Sequence, residues 1–217
     1  MTVTVHKSPA PQFTAEELLR WRNMPVAIVA DVSSGACLLD PDIRPLNPPG
    51  KQPRLFGTVV TALCQPPDFG AVLHALDEIK ADEVLLIAAQ GHRDNAMIGE
   101  ILGGHLRRLG AAGVVCDGAV RDVAELAGWT DLSVYCRSIT PRGPVGAIMG
   151  AVNSDVTVGS VTIHPGDLLL GDDDGLAVLS PAQAHNLFAA AAAKLALEIQ
   201  WQKKLSGGQT IKATFGL

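Results

Sequence analysis

Two neighbouring residues, Arg121 and Asp122, carry the most chemistry in this sequence. They follow Val114-Val115-Cys116 and Asp117-Gly118-Ala119-Val120, so they stand where a buried strand gives out. In a parallel sheet, ligands gather outside the carboxyl ends of the strands. A guanidinium placed there grips a carboxylate through its two-pronged fork. A lone carboxylate with water suits Mg²⁺ or Mn²⁺, which keep several waters and need few protein ligands. The same pair also fits a plainer role, an Asp capping a helix beside a surface Arg. Twenty residues lie between Glu100 and Arg121, near the length of one strand–helix repeat. Glu100 and Arg121-Asp122 could therefore face one cleft from adjacent strand ends, although any βαβ unit could produce that spacing.

Gly99, Gly103 and Gly104 fall inside an otherwise helical pattern. Each costs about 1 kcal/mol against Ala in a helix interior. Either a helix begins near Gly99, leaving the amides of Ile101 and Leu102 as an anion site at the positive end of its dipole, or the glycines serve tight helix–sheet packing. Asp172-Asp173-Asp174-Gly175 reads as turn chemistry and lacks the spacing of an EF-hand. His74, among Leu73, Ala75 and Leu76, reads as a packing residue. No GxSxG, P-loop or strand–GxGxxG–helix motif is present, and the histidines show no metal-ligand spacing.

The elements that must position these residues follow from periodicity. Residues 1–13 read as a loose arm, Ala15 to Arg22 as a helix and Val26 to Ala30 as a short buried strand. Residues 35–53, rich in Pro and Gly, read as a long surface loop. From residue 55 the pattern alternates: a strand at Leu55 to Leu63, a helix opened by Asp68 as N-cap, a strand at Glu83 to Ala89, a helix ending near Leu109 with Gly110 after it, and strands at Gly113 to Cys116 and Leu132 to Cys136. Strand and helix in alternation imply βαβ crossovers and a parallel sheet. Beyond residue 145 the character changes. Gly159-Ser160 marks a hairpin between Val156–Val158 and Val161–Ile163, and Leu168–Leu170 with Leu176–Leu179 flanks GDDDG. Ser180-Pro181-Ala182-Gln183 is a capping box opening a helix to about Leu205. The fold class expected is one mixed α/β domain with a parallel sheet, an antiparallel β region and a long C-terminal helix.

Composition narrows the function classes. Of 217 residues, 47% are hydrophobic and 18% charged, which fits a packed globular chain rather than disorder. A net charge of −5 argues against a nucleic-acid surface, and no apolar run is long enough to span a bilayer. The four widely spaced cysteines read as reduced, mostly buried thiols in a cytoplasm rather than as disulfides or a zinc site.

GVVCDGAVRD (113–122), with GEIL (99–102) before it, TPRGP (140–144) after it and the segments 44–69 and 161–181, resembles the RraA-like family. That family holds class II 4-hydroxy-4-methyl-2-oxoglutarate / 4-carboxy-4-hydroxy-2-oxoadipate aldolases and the RraA regulators of ribonuclease E. The likeness covers nearly the whole chain beyond the arm, residues 14–217. It implies a swivelling β/β/α-type domain assembled as trimers or hexamers with sites between subunits. It also implies a divalent-metal-dependent pyruvate aldolase acting on a 4-hydroxy-2-oxo di- or tricarboxylate, with oxaloacetate decarboxylation as a side activity. In that pattern Asp122 binds Mg²⁺ or Mn²⁺, Arg121 contacts the pyruvate moiety, and the Gly99, Ile101 and Leu102 stretch holds the carboxylate through backbone amides. Glu100, where aldolase members often carry Asp, helps organise water at the metal. Glu198 of a neighbouring subunit completes the site, and His92 with Arg93 would read the substrate's tail. The alternatives are an RraA-type protein-binding regulator, or a metal-dependent lyase or hydrolase of another 2-oxo acid.

Overall fold

The computed structural model describes residues 2–217. In chain order it contains β1 (Thr4–Val5), α1 (Ala15–Trp21), α2 (Val26–Ser33), β2 (Arg44–Pro45), β3 (Leu55–Leu63), α3 (Gly70–Glu78), β4 (Glu83–Ile98), α4 (Glu100–Leu109), β5 (Gly113–Val120) and α5 (Val123–Gly128). There follow β6 (Ser133–Ile139), β7 (Ala151–Val152), β8 (Val156–Val158), β9 (Val161–Ile163), β10 (Leu168–Asp172), β11 (Gly175–Leu179), α6 (Pro181–Ser206) and α7 (Ile211–Phe215).

β3, β4, β5 and β6 run parallel and adjacent, the frame that the alternating pattern predicts. Side chains on successive strand residues point to opposite faces, and both faces here are covered. Leu85 and Ile87 of β4 join Val72, Leu76, Leu106 and Leu126 beneath α3, α4 and α5. Val84 and Leu86 pack the other way, against Leu39, Ile43 and the β8–β9 hairpin residues Val156, Val158 and Ile163. Two-sided burial explains why the strands read as continuous apolar runs. A third cluster joins α2 and α6 to β10 and β11 through Ile28, Val29, Leu170, Ala177 and the small Ala184 and Ala191. The antiparallel part is attached to the parallel part through β3, which pairs with β10 along its first residues and with β7 at its end. The capping box of α6 is formed: Ser180 Oγ accepts from the Gln183 amide, and Gln183 Oε1 accepts from the Ser180 amide.

Several expectations give way. Val26 to Ala30 belongs to helix α2, not to a strand, and its first amide, Val26 N–H, donates to Asp172 Oδ2 at 2.9 Å. So short an apolar run does not distinguish the two states by periodicity. The carboxylate that secures the helix lies 146 residues away. The arm is not loose, since Thr4–Val5 pairs with β7. Asp68 stands one residue before the N-cap position of α3, where its Oδ1 accepts from the first helical amide, Gly70 N–H, and the same buried carboxylate also binds a distant loop. His74 is exposed rather than packed. Strands β4, β5 and β6 all run several residues past the predicted ends. The added stretches contain register shifts between β4 and β5, and Gln90 and Gly91 both have positive φ, 55° and 72°. Such bulges break the period-2 signal that marks a strand. Asp172, Asp173 and Asp174 do form the β10–β11 turn, as the turn chemistry predicts.

Candidate active site

The carboxyl ends of β4 and β5 carry the candidate residues. β5 is buried along its whole length and ends at Val120, so Arg121 and Asp122 emerge together at the sheet's edge. The ladder extends one bond further, from Arg121 N–H to the Ile98 carbonyl at 3.1 Å, which ties Arg121 to the residue before Gly99.

Asp122 adopts φ 57°, a left-handed conformation that Asp tolerates better than most residues. It occupies the N-cap position of α5, and its carbonyl accepts from Glu125 and Leu126. Its side chain does not cap that helix. The carboxylate turns to the neighbouring helix, where Oδ2 accepts from the Glu100 amide at 3.0 Å. Gly99 makes this possible: a Cβ there would collide with Asp122 Oδ2 and stand 2.8 Å from Arg121 Cγ. Helix α4 starts directly after Gly99, and another element presses against it. Gly103 is a packing glycine, 3.0 Å from the Trp129 ring if it bore a Cβ.

Gly99 has no side chain to cap α4 and Asp122 takes only the Glu100 amide, so the Ile101 and Leu102 amides stand at the positive end of the helix without a side-chain acceptor. The Arg121 guanidinium has one carboxylate neighbour among the described residues, Asp122 Oδ2 at 3.5 Å from Nε. Its fork is left open for an anionic ligand. Gly99, Ile101, Leu102 and Arg121 share a cleft of about 200 Å³ with apolar walls from Phe69, Leu73, Met97 and Pro144. Glu100 lines a second, wider depression of about 600 Å³ with Arg107, Arg108 and Trp129, across the exposed Ile101 side chain.

Two expected site residues lie elsewhere. His92 is not among the residues lining the cleft at Arg121; its Nε2 lies 3.1 Å from both the amide nitrogen and Oδ1 of Asn95. Arg93 pairs with Asp42 at 2.9 Å. Both lie on β4, which continues past the Gln90-Gly91 bend as a strand. Glu198, on α6, has its ion-pair partner in Lys194 of the same helix at 3.7 Å, and this single chain does not bring it to Asp122.

One wall of the cleft is a loop that the sequence reading left without a role, residues 140–150. Asn95 Nδ2 donates to the Gly143 carbonyl at 2.6 Å, and the Ala96 amide donates to the Arg142 carbonyl at 2.8 Å. At its far end the loop is held by Asp68, which is only 1% exposed. Asp68 accepts from the amides of Gly70 at 2.8 Å and of Ile148 and Met149 at 3.0 Å each. Burial alone would raise the Asp68 pKa, but the three amides outweigh it and hold the carboxyl below its ordinary range. Nothing in the local sequence distinguishes this Asp from a helix cap. The buried thiols do not supply a nucleophile: burial pushes Cys64 up to about 12 and Cys136 up to about 11.

This sequence and fold belong to a known group of α/β proteins. A sequence profile described as "RraA-like: Aldolase/RraA" matches residues 26–178. The chain belongs to this aldolase/RraA family. It is 31% identical, over 82% of its own length and 83% of the relative's, to a Halalkalibacterium halodurans protein named "Putative 4-hydroxy-4-methyl-2-oxoglutarate aldolase". Among solved structures, an uncharacterized protein from Pseudomonas syringae pv. tomato shares the fold, with TM-score 0.83 at 22% identity over 95% of this chain and 99% of that one. The RNA-processing inhibitor RraA from Thermus superposes with TM-score 0.64 at 28% identity, covering 71% of this chain and 92% of that one.

Proposed function

We propose that this chain is a divalent-metal-dependent pyruvate aldolase, a carbon–carbon lyase acting on 4-hydroxy-2-oxo di- or tricarboxylates. One observation carries the reading: the Arg121 guanidinium, the Asp122 carboxylate and the open N-terminus of α4 converge at one strand end. The name of the Halalkalibacterium relative supports the substrate class.

The residues present fit a hard cation. Glu100 N–H occupies Asp122 Oδ2 and leaves Oδ1 as a free anionic oxygen among the described residues. Mg²⁺ and Mn²⁺ need few protein ligands and retain water. No group of three His, Cys, Asp or Glu able to hold a metal occurs among the described residues. Water, substrate oxygens and Glu198 of a neighbouring copy in a trimer or hexamer would complete the shell. When bound, the ion would supply Lewis-acid polarisation of the 2-oxo group.

The remaining steps belong to the chain itself. The Ile101 and Leu102 amides take the substrate carboxylate at the helix end. Arg121 orients the pyruvate moiety and stabilises the negative charge that grows on it as C3–C4 breaks. Glu100 orients the water that takes the C4 hydroxyl proton. The bonding pair then moves to C3, giving the pyruvate enolate, which is protonated to pyruvate while C4 leaves as a second oxo acid. Oxaloacetate decarboxylation passes through the same enolate and is the expected side activity. No lysine Schiff base is required. The free, buried cysteines support a reducing, cytoplasmic setting for this chemistry.

The test is pyruvate release from 4-hydroxy-4-methyl-2-oxoglutarate and from oxaloacetate, with Mg²⁺ and then with EDTA. Turnover of both that EDTA abolishes is the expected result. Turnover of oxaloacetate alone keeps the site and rejects the aldol substrate; turnover of neither refutes the reading. The likeness to the Thermus RNA-processing inhibitor favours a second reading, a protein-binding regulator. Capture of a ribonuclease without metal-dependent turnover would select it.

A further inference from the structure

We infer that Asn95 is a positioning residue, which holds the Arg121 guanidinium in its working orientation through the Gly143 peptide. The inference rests on the aldolase reading of the site. Asn95 lies on the outer stretch of β4 and is 6% exposed. It is secured at two points: its side-chain Nδ2 donates to the Gly143 carbonyl at 2.6 Å, and its backbone amide donates to His92 Nε2 at 3.1 Å. The adjacent Ala96 amide holds the Arg142 carbonyl, so two consecutive residues of a strand fix two consecutive peptides of the loop.

The other side of that loop meets Arg121. A Cβ on Gly143 would stand 2.9 Å from Arg121 Nη1 and 3.8 Å from Cζ, so the bare glycine backbone is the surface against which the guanidinium rests. Arg121 has little else to orient it, because its carboxylate neighbour Asp122 lies 3.5 Å from Nε. A flexible, half-exposed side chain with one long ion pair samples several rotamers unless a rigid surface bounds it. Asn suits the task because its side-chain amide offers an N–H donor to the carbonyl. Asp in its place would set a carboxylate oxygen against the Gly143 carbonyl. Ala would leave that carbonyl without its donor. Pro144, next along the loop, lines the cleft itself, so a shift at Gly143 reaches the substrate from two directions.

The experiment is a double-mutant cycle on pyruvate release with Mg²⁺, paired with calorimetric titration of pyruvate. Asn95→Ala and Asn95→Asp should each lower kcat/KM by up to about 100-fold, the cost of a misplacement near 1 Å, and should weaken pyruvate binding. Gly143→Ala, which pushes on Arg121 from the same surface, should act in the same direction. In an Arg121→Ala background, Asn95→Ala should add less than about twofold, since residues acting through one group are not additive. Equal losses in both backgrounds, or an Asn95→Ala enzyme of full activity, would overturn the inference alone. Arg121→Ala with native turnover, or a wild-type protein that neither binds nor releases pyruvate, would overturn the aldolase reading and this inference with it.

Discussion

Two Arg–Asp pairs stand on neighbouring parts of the same sheet and behave in opposite ways. Arg121 and Asp122 have side chains 39% and 40% exposed and meet at a single 3.5 Å contact. Arg137 of β6 and Asp117 of β5 are 8% and 4% exposed and directly hydrogen-bonded through Nε. Arg137 also reaches Asp40 at 3.0 Å, and Asp42 at 4.0 Å. The buried cation is held by two carboxylate hydrogen bonds, with a third carboxylate nearby. The exposed one has a single carboxylate neighbour among the described residues.

The buried cluster perturbs the titration of its own members. Burial pushes the Asp117 carboxyl up despite the Arg137 guanidinium, while hydrogen bonding to Arg137 holds Asp40 below its usual range. Burial would lower the Arg137 pKa, but its bonds to Asp40 and Asp117 outweigh that and keep it charged. The lesson is that residue type and strand position do not separate a structural ion pair from a reactive one. The number of satisfied hydrogen-bonding positions does.

Mutations can break this contrast, and the largest effect falls on the buried pair. Arg137→Ala strands Asp117 and should cost about 3–5 kcal/mol of unfolding free energy, the scale for removing one partner of a buried pair. Chemical denaturation should show that loss. Pyruvate release per folded molecule should fall far less than with Arg121→Ala, and a stable but inactive Arg137→Ala protein would erase the distinction. Arg121→Ala is the mirror case. It should raise the barrier by about 2.7–4 kcal/mol, as for losing one oxyanion stabiliser, with an unchanged melting midpoint. Near-native turnover of that variant would defeat the mechanism.

The smallest expected effect concerns Asp68, a buried carboxylate held by amides rather than by a cation. Its pKa is depressed in the folded state, so its stabilisation is present above the ordinary value of 3.8 and disappears as pH falls through the lower folded value. Asp68→Asn should therefore lower the melting midpoint near neutral pH by about 2–4 °C, equivalent to about 1 kcal/mol at this size. The difference from wild type should close in acid. A pH-independent difference would show that the loop is held by shape, not by charge.

Much of this was legible beforehand. The parallel core of β3 to β6 follows from apolar runs buried on both faces, and the α6 start from Ser180 and Gln183 within one turn. The pairing of Glu100 with the Arg121-Asp122 edge was visible as spacing, though not its form, a backbone amide bound to a carboxylate. Asn95 was not legible because the bulges in β4 hide which side each residue faces.

The sequence by itself therefore determined the layered α/β frame, the caps and hairpins, and the strand end where Arg121 and Asp122 emerge. These depend on periodicity and on contacts between residues a few positions apart. Only the tertiary structure decided that the Asp122 carboxylate leaves its own helix for the Glu100 amide, 22 residues earlier. It likewise decided that Asp172 secures α2 across 146 residues, and that Asn95 reaches Gly143 across 48. Side chains of this kind have several chemically acceptable partners, and the packed sheet selects one by bringing it within hydrogen-bonding distance.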